Sequence, residues 1–139
     1  MTHVSAKSEY AIKALVRLAL VAGNGPVHAR DIAAFGGIPV KFLESVMHDL
    51  RQGGLVASRR GKGGGYVLTR DPASITFVEV IDTIEGSDGG KGRMRRDDLA
   101  EPLVAPVWRA VGDAVRDALG SATIADAAAR AAAGPMYYI

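Results

Sequence analysis

The stretch RRGKGGGY, Arg59 to Tyr66, decides how the chain is read. Two arginines and a lysine sit among four glycines, and an aromatic ring follows at once. LVASRR runs into this stretch and YVLTR runs out of it, both short series of strand-forming residues. GKGGG between them is a turn, so the whole is a β-hairpin with a cationic, glycine-rich tip. Such a tip suits a polyanion. Gly61, Gly63, Gly64 and Gly65 allow positive φ and let the backbone approach a phosphate without a Cβ in the way. Arg59, Arg60 and Lys62 would lie along that backbone, or in a narrowed minor groove whose negative potential attracts arginine.

Upstream, VKFLESVMHDLRQ, residues 40–52, alternates as an amphipathic helix. Pro39 stands at its start, where the missing N–H costs nothing, and Gly53-Gly54 ends it. Phe42, Leu43, Val46, Met47 and Leu50 form the apolar set. Lys41, Glu44, Ser45 and His48 are spaced i, i+3, i+4, i+7 and form one polar stripe. The major groove of B-DNA admits one helix, and a segment starting at Val40 has the side chains to read it. Lysine donates to guanine, glutamate accepts from cytosine N4, and serine serves either. Glu44 is the informative member, because a carboxylate near phosphates is unfavourable unless it reads a base. An ordinary solvated face is the competing reading of that stripe. Its placement decides against it, since a glycine turn precedes the helix and the cationic hairpin follows.

Further upstream, a short helix from Ala29 to Phe35 turns Ile32, Ala33 and Phe35 inward and stops at Gly36-Gly37. SEYAIKALVRLALVA, residues 8–22, is helical by period, with Tyr10, Ala14, Leu18 and Val21 on one face, and GNGP ends it. Helix, short helix, striped helix and hairpin is the order of a winged helix-turn-helix. Downstream, ITFVEVIDTIEG predicts a fourth helix with Thr76 as N-cap, Glu79 at its third position and Gly86 at its stop. Residues 86–98, GSDGGKGRMRRDD, read as a polar loop. PLVAPVWRAVGDAVRDALG then predicts a long helix on which Val104, Trp108, Val111, Val115 and Leu119 recur at steps of three and four. This seam is too apolar for water, and the preceding 85 residues already make a compact unit. Dimerisation is the favoured use of it, a closed twofold pair being the commonest oligomer. SATIADAAARAAAGP carries a helix start at Thr123 with Asp126 and a stop at Gly134-Pro135, and the aromatic tail MYYI can dock. The fold class is therefore mainly α with a small β-hairpin: a winged helix-turn-helix over 1–86, a flexible loop over 87–98, and a dimerisation helix with a C-terminal helix over 99–139.

Charge agrees with this division. Residues 1–70 carry ten Lys/Arg against four Asp/Glu, whereas residues 71–139 carry seven against eleven. A basic half beside an acidic one assigns the polyanion to the first. No run of 18 apolar residues predicts a membrane span, and the N-terminus lacks the pattern of a signal peptide, so a cytoplasmic protein is expected. Enzyme chemistry finds no footing. There is no cysteine nucleophile, His3, His28 and His48 lack metal-ligand spacing, and no serine sits in G-x-S-x-G. GKGGGY and GGKGR match neither phosphate-binding glycine signature.

KSEYAIKALVRLAL followed by ARDIAAFGGIPVKFLESVMHDLRQGGLVASRRGKGGGYVLTRDPASITFVEVIDTIEG closely resembles the Rrf-type winged-helix regulators, the IscR/NsrR/CymR group. The likeness covers about residues 5–86 and combines EYA, IP-x-KFLE, L-x-x-x-GLV-x-S-x-RG and GGY; the later helices match the family's dimerisation region more loosely. It implies a homodimeric bacterial transcription factor, usually a repressor, binding a palindromic operator in double-stranded DNA with half-site centres one helical turn or a multiple apart. By the same resemblance, Glu44 and Arg60 carry the recognition-helix and wing contacts, and Ser5 and Lys7 match residues that look like phosphate contacts. Many members hold an iron–sulfur cluster through three cysteines in the loop after the fourth helix. Here GSDGGKGRMRRDDLAEPLVAP has none, so no cofactor is expected, and control would come from a small molecule or a partner protein. The reading from another class is a winged-helix interaction module that has lost operator binding.

Overall fold

A computed structural model describes residues 4–86 and 104–134; the loop read over 86–98, apart from Gly86, and the tail Met136–Ile139 lie outside the described residues. The chain begins with α1, Ala6–Leu20. Ser5 caps it by accepting the Ser8 backbone N–H at 3.1 Å. Ala11, Ala14, Leu15 and Leu18 recur at i, i+3, i+4 and i+7, and all are buried, so one stripe of α1 forms the centre of the core.

Around that stripe pack α2 (Ala29–Gly36), α3 (Val40–Gln52) and α4 (Phe77–Gly86). β1 (Val56–Arg59) and β2 (Gly65–Leu68) form one antiparallel hairpin in which Val56 pairs with Leu68 and Arg59 with Gly65. A 3-10 turn, Pro72–Ser74, leads into α4. The Glu79 N–H donates to Thr76 Oγ1 at 3.2 Å, as the expected N-cap requires. α5 (Ala105–Ser121) packs chiefly on α4, where Arg116 makes a two-pronged pair with Asp82, both hydrogen bonds 3.0 Å.

The last helix, α6 (Ile124–Ala133), opens with the capping box expected at Thr123 and Asp126. It then returns to pack along α1. Backbone bonds guide the return: Phe77 N–H donates to Ala122 O and Ile124 N–H to Ile75 O, each at 2.9 Å. Ile75 and Ile124 are fully buried, side by side in the core with Leu15, Ile32, Leu50 and Ile84. Sequence periodicity alone did not show that the winged unit needs this late segment to close its core.

Two aromatic rings expected inside stand partly in water instead. Phe35 is 40% exposed and Phe42 is 47% exposed. On α2 the buried positions are Ile32 and Gly36, four apart, and Phe35 falls about 80° from that line. The Arg17 guanidinium covers its ring at 5.4 Å. Phe42 flanks the buried i, i+3, i+4, i+7 set Leu43, Val46, Met47 and Leu50, and rests against the Tyr10 ring at 5.7 Å. No helix among the described residues is long and apolar enough to cross a membrane.

Ile124→Ala should cost about 2–5 kcal/mol, the range for emptying a fully buried aliphatic site. Urea unfolding of the full chain measures it. A loss below about 0.5 kcal/mol would mean that α6 does not close the core.

Candidate nucleic-acid interface

The path from α2 to α3 is set by backbone chemistry. Gly37 ends α2 in the left-handed region at φ 60°, and the Ile38 N–H donates to Ala33 O at 2.9 Å. Ile38 is buried beneath the turn, and Pro39 opens α3. With Leu43, Val46, Met47 and Leu50 buried, the opposite face of α3 must look outward. Val40, Lys41, Glu44, Ser45 and His48 are all exposed on it. Among the described residues, no hydrogen bond or ion pair engages the side chains of Lys41, Glu44, Ser45 or His48. The stripe is therefore a set of polar groups with nothing in the described chain to bind.

The hairpin stands next to it. Leu55 N–H donates to Leu50 O at 3.0 Å, and Arg51 near the end of α3 reaches Ser58 Oγ in β1 at 3.4 Å. On the other strand Tyr66 exchanges two backbone hydrogen bonds with Val27, each 2.9 Å. The tip closes with the Gly64 N–H on Gly61 O at 2.9 Å, leaving Lys62 and Gly63 at its apex. Arg59, Arg60 and Lys62 are exposed.

The glycines divide into two kinds by what an added side chain would meet. A Cβ on Gly65 would strike the Val27 carbonyl, and a Cβ on Gly64 would strike the carbonyls of Arg59 and Gly61. These two are needed by the chain's own backbone. Gly61, at φ 106°, and Gly63 have open space around them.

Ser5 and Lys7 sit at the start of α1. Besides capping the helix, Ser5 joins a small network in which the Ser8 hydroxyl donates to Glu85 Oε2 at 3.2 Å. Lys7 pairs with Asp49 of α3 at 2.7 Å, with both side chains mostly covered. This pair ties the start of α1 to the C-terminal half of α3, and an ammonium with three N–H donors keeps protons for a further acceptor.

Internal pairing also sorts the basic half. Arg17 forms two hydrogen bonds to Asp31, both 3.1 Å. Arg70 binds Glu79 and the Ser74 carbonyl; the hydrogen bonds to Glu79 hold its guanidinium above the ordinary arginine pKa. With Lys7, Arg17, Arg70 and Arg116 neutralised at home, five of the cations lacking a carboxylate partner among the described residues, Lys41, Arg51, Arg59, Arg60 and Lys62, lie on α3 and the hairpin, while Lys13, Arg30, Arg109 and Arg130 are spread over four other helices. The largest group of unpaired cations is thus the one on α3 and the hairpin.

The apolar seam lies elsewhere. No residue of α5 is buried. Val104 and Trp108 are 39% and 38% exposed, and Val111, Val115 and Leu119 are half-buried. Val107, 60% exposed and four residues before Val111, extends the same face; its spacing made it legible, although the seam expected from the sequence did not include it.

Known proteins share this architecture. The Rrf2 family model, described as an iron-dependent transcriptional regulator, matches residues 4–130. A provisionally named HTH-type transcriptional regulator of Mycobacterium tuberculosis (strain H37Rv) is 39% identical over 130 residues, 91% of this chain and 81% of that protein. Among solved structures, IscR of T. potens superposes with a TM-score of 0.78 at 34% identity, covering 93% of this chain and 88% of that one. CymR of B. subtilis, the global cysteine regulator, gives 0.76 at 32% identity over 94% and 98%.

Gly64→Ala should lower stability by about 1–3 kcal/mol through its carbonyl clash, whereas Gly63→Ala should stay within about 0.5 kcal/mol of the parent. Thermal unfolding of both variants checks this. Equal effects would contradict the division of the glycines.

Proposed function

The chain belongs to the Rrf2 family of transcriptional regulators, and from that premise we propose that it acts as a homodimer clamping a palindromic operator, as a repressor. Its relatives are regulators of transcription and not enzymes, which makes this a DNA-binding regulator. The observation that carries the finer reading is the unengaged stripe of Lys41, Glu44, Ser45 and His48 beside an unpaired cationic hairpin tip.

On this reading α3 enters the major groove. Lys41 donates to guanine, Glu44 accepts from cytosine N4, and Ser45 and His48 meet bases or sugar-phosphate further along. The tip places Arg59, Arg60 and Lys62 against the backbone or in the flanking minor groove, and Gly61 and Gly63 permit close approach. Ser5 and Lys7 would add phosphate contacts at the start of α1. Phosphate contacts set register and affinity, and the α3 side chains set sequence.

The seam Val104, Trp108, Val111, Val115 and Leu119 supplies the second half of the proposal. α5 leans chiefly on α4, and its apolar seam is exposed at Val104, Val107 and Trp108 and half-buried at Val111, Val115 and Leu119. Pairing that face about a twofold axis removes it from water and presents two copies of α3 to one side of a duplex. A palindrome with half-sites one turn or a multiple apart is the matching DNA.

The family description names iron, and the donor set here does not fit a thiolate-held cluster. The sequence has no cysteine, and among the described residues no three His, Asp or Glu side chains converge on a metal position. No step of the proposal passes through iron; a small molecule or partner protein takes its place as the signal.

In anisotropy titrations on an operator chosen by selection, Arg60→Ala should reduce the slope of log affinity against log salt by about 0.9 for each phosphate that the arginine neutralised. Glu44→Ala should cost about 1–3 kcal/mol and relax the preference at one base pair per half-site. A Glu44→Ala protein that keeps the parent's full base preference would refute the reading role. Sedimentation equilibrium should give a dimer for the parent and a monomer for Trp108→Glu combined with Val111→Glu; a monomeric parent would refute the seam.

A further inference from the structure

Val40 is the most exposed large apolar residue of the described chain, at 68%. It differs from the other two exposed apolar side chains of the helix-turn-helix. Phe35 has the Arg17 guanidinium over its ring, and Phe42 has the Tyr10 ring against it. Among the described residues no such covering is found at Val40. As a β-branched residue it is also a poorer helix former than lysine, glutamate or alanine, so local helix stability does not account for it.

A single exposed valine is ordinary on a protein surface and alone would carry nothing. Its position is what matters. Val40 is the first residue of α3, and Glu44 stands four residues on, one turn above it on the same face, with Lys41 beside them. The first turn of a helix lying in the major groove is the part that meets base edges. Among base edges only thymine offers an apolar group there, the C5-methyl.

We propose that Val40 is a specificity-determining residue whose isopropyl group packs on the C5-methyl of a thymine adjoining the base that Glu44 reads. This rests on the reading of α3 as the major-groove helix. Contact between the two apolar groups removes both from water. Lys41 and Glu44 on the same turn supply polar contacts that fix the helix in register, and Val40 adds discrimination in favour of thymine, since no other base carries a methyl group on its major-groove edge.

The test uses the full-length chain and a duplex obtained by selection from random double-stranded DNA. Each thymine of the selected site is replaced in turn by deoxyuridine, which deletes only the methyl group, and binding is measured by anisotropy for the parent and for Val40→Ala. The expected result is one thymine per half-site whose replacement weakens the parent about fourfold, the value of roughly one buried methyl. At that thymine Val40→Ala should bind more weakly than the parent and lose nothing further with deoxyuridine. Val40→Ala should keep the parent's thermal midpoint, since the side chain is largely in solvent. Indifference of the parent to every deoxyuridine, or an undiminished deoxyuridine penalty in Val40→Ala, would overturn the assignment while leaving DNA reading by α3 intact. A selection that enriches no sequence would instead remove base reading itself, and the role of Val40 with it.

Discussion

The backbone clasp between Val27 and Tyr66 governs how the rest of the interface is arranged. Two hydrogen bonds of 2.9 Å join the chain just ahead of α2 to the middle of β2. They form only because Gly65 carries no side chain where the Val27 carbonyl passes. The hairpin is thus held to the entrance of the helix-turn-helix through main chain, and to the exit of α3 through Leu55 and Leu50. Between these anchors the cationic tip has little freedom to swing away from α3. A ligand that touches both elements meets them already placed, so little ordering cost falls on binding.

Electrostatics reinforces the arrangement. The pairs Lys7–Asp49 and Arg17–Asp31 join helices, Arg70–Glu79 joins the segment after β2 to α4, and all three cancel charge in the body of the domain. None of these exposed or half-covered pairs need contribute much stability. Their larger consequence is subtractive, since among the described residues they leave Lys41, Arg51, Arg59, Arg60 and Lys62 clustered on α3 and the hairpin without a carboxylate partner, besides Lys13, Arg30, Arg109 and Arg130 scattered over other helices. Glu44 is left unpaired within that positive field. A carboxylate held there without a partner is consistent with a base donor and poorly consistent with a phosphate.

Much of this was legible in the residues. The helix periods of α1 and α3, the glycine stops, the hairpin around GKGGG and the caps at Thr76 and Thr123 all appear where local chemistry places them. What periodicity could not show is which flank of a helix meets a neighbour. Phe35 and Phe42 satisfy an apolar count, yet each lies beside the buried line, and a cation or another ring shields it. The glycines of the tip posed a similar ambiguity. Tolerance of positive φ is visible in sequence, but the close approach of Val27 to Gly65 depends on a residue 38 positions away. The pairing of Ile75 with Ile124 was hidden for the same reason, because it joins segments separated by α4 and α5. Lys7 and Asp49 likewise gave no local sign of their ion pair.

The placement of α3 in the major groove is tested most directly by methylation interference on a selected duplex. Methyl groups added at guanine N7 project into the major groove, and those at adenine N3 into the minor groove. An interface built on Lys41, Glu44, Ser45 and His48 predicts two clusters of interfering guanines, with centres about one helical turn or a multiple apart. Interference confined to adenine N3, or none at any guanine, would contradict it.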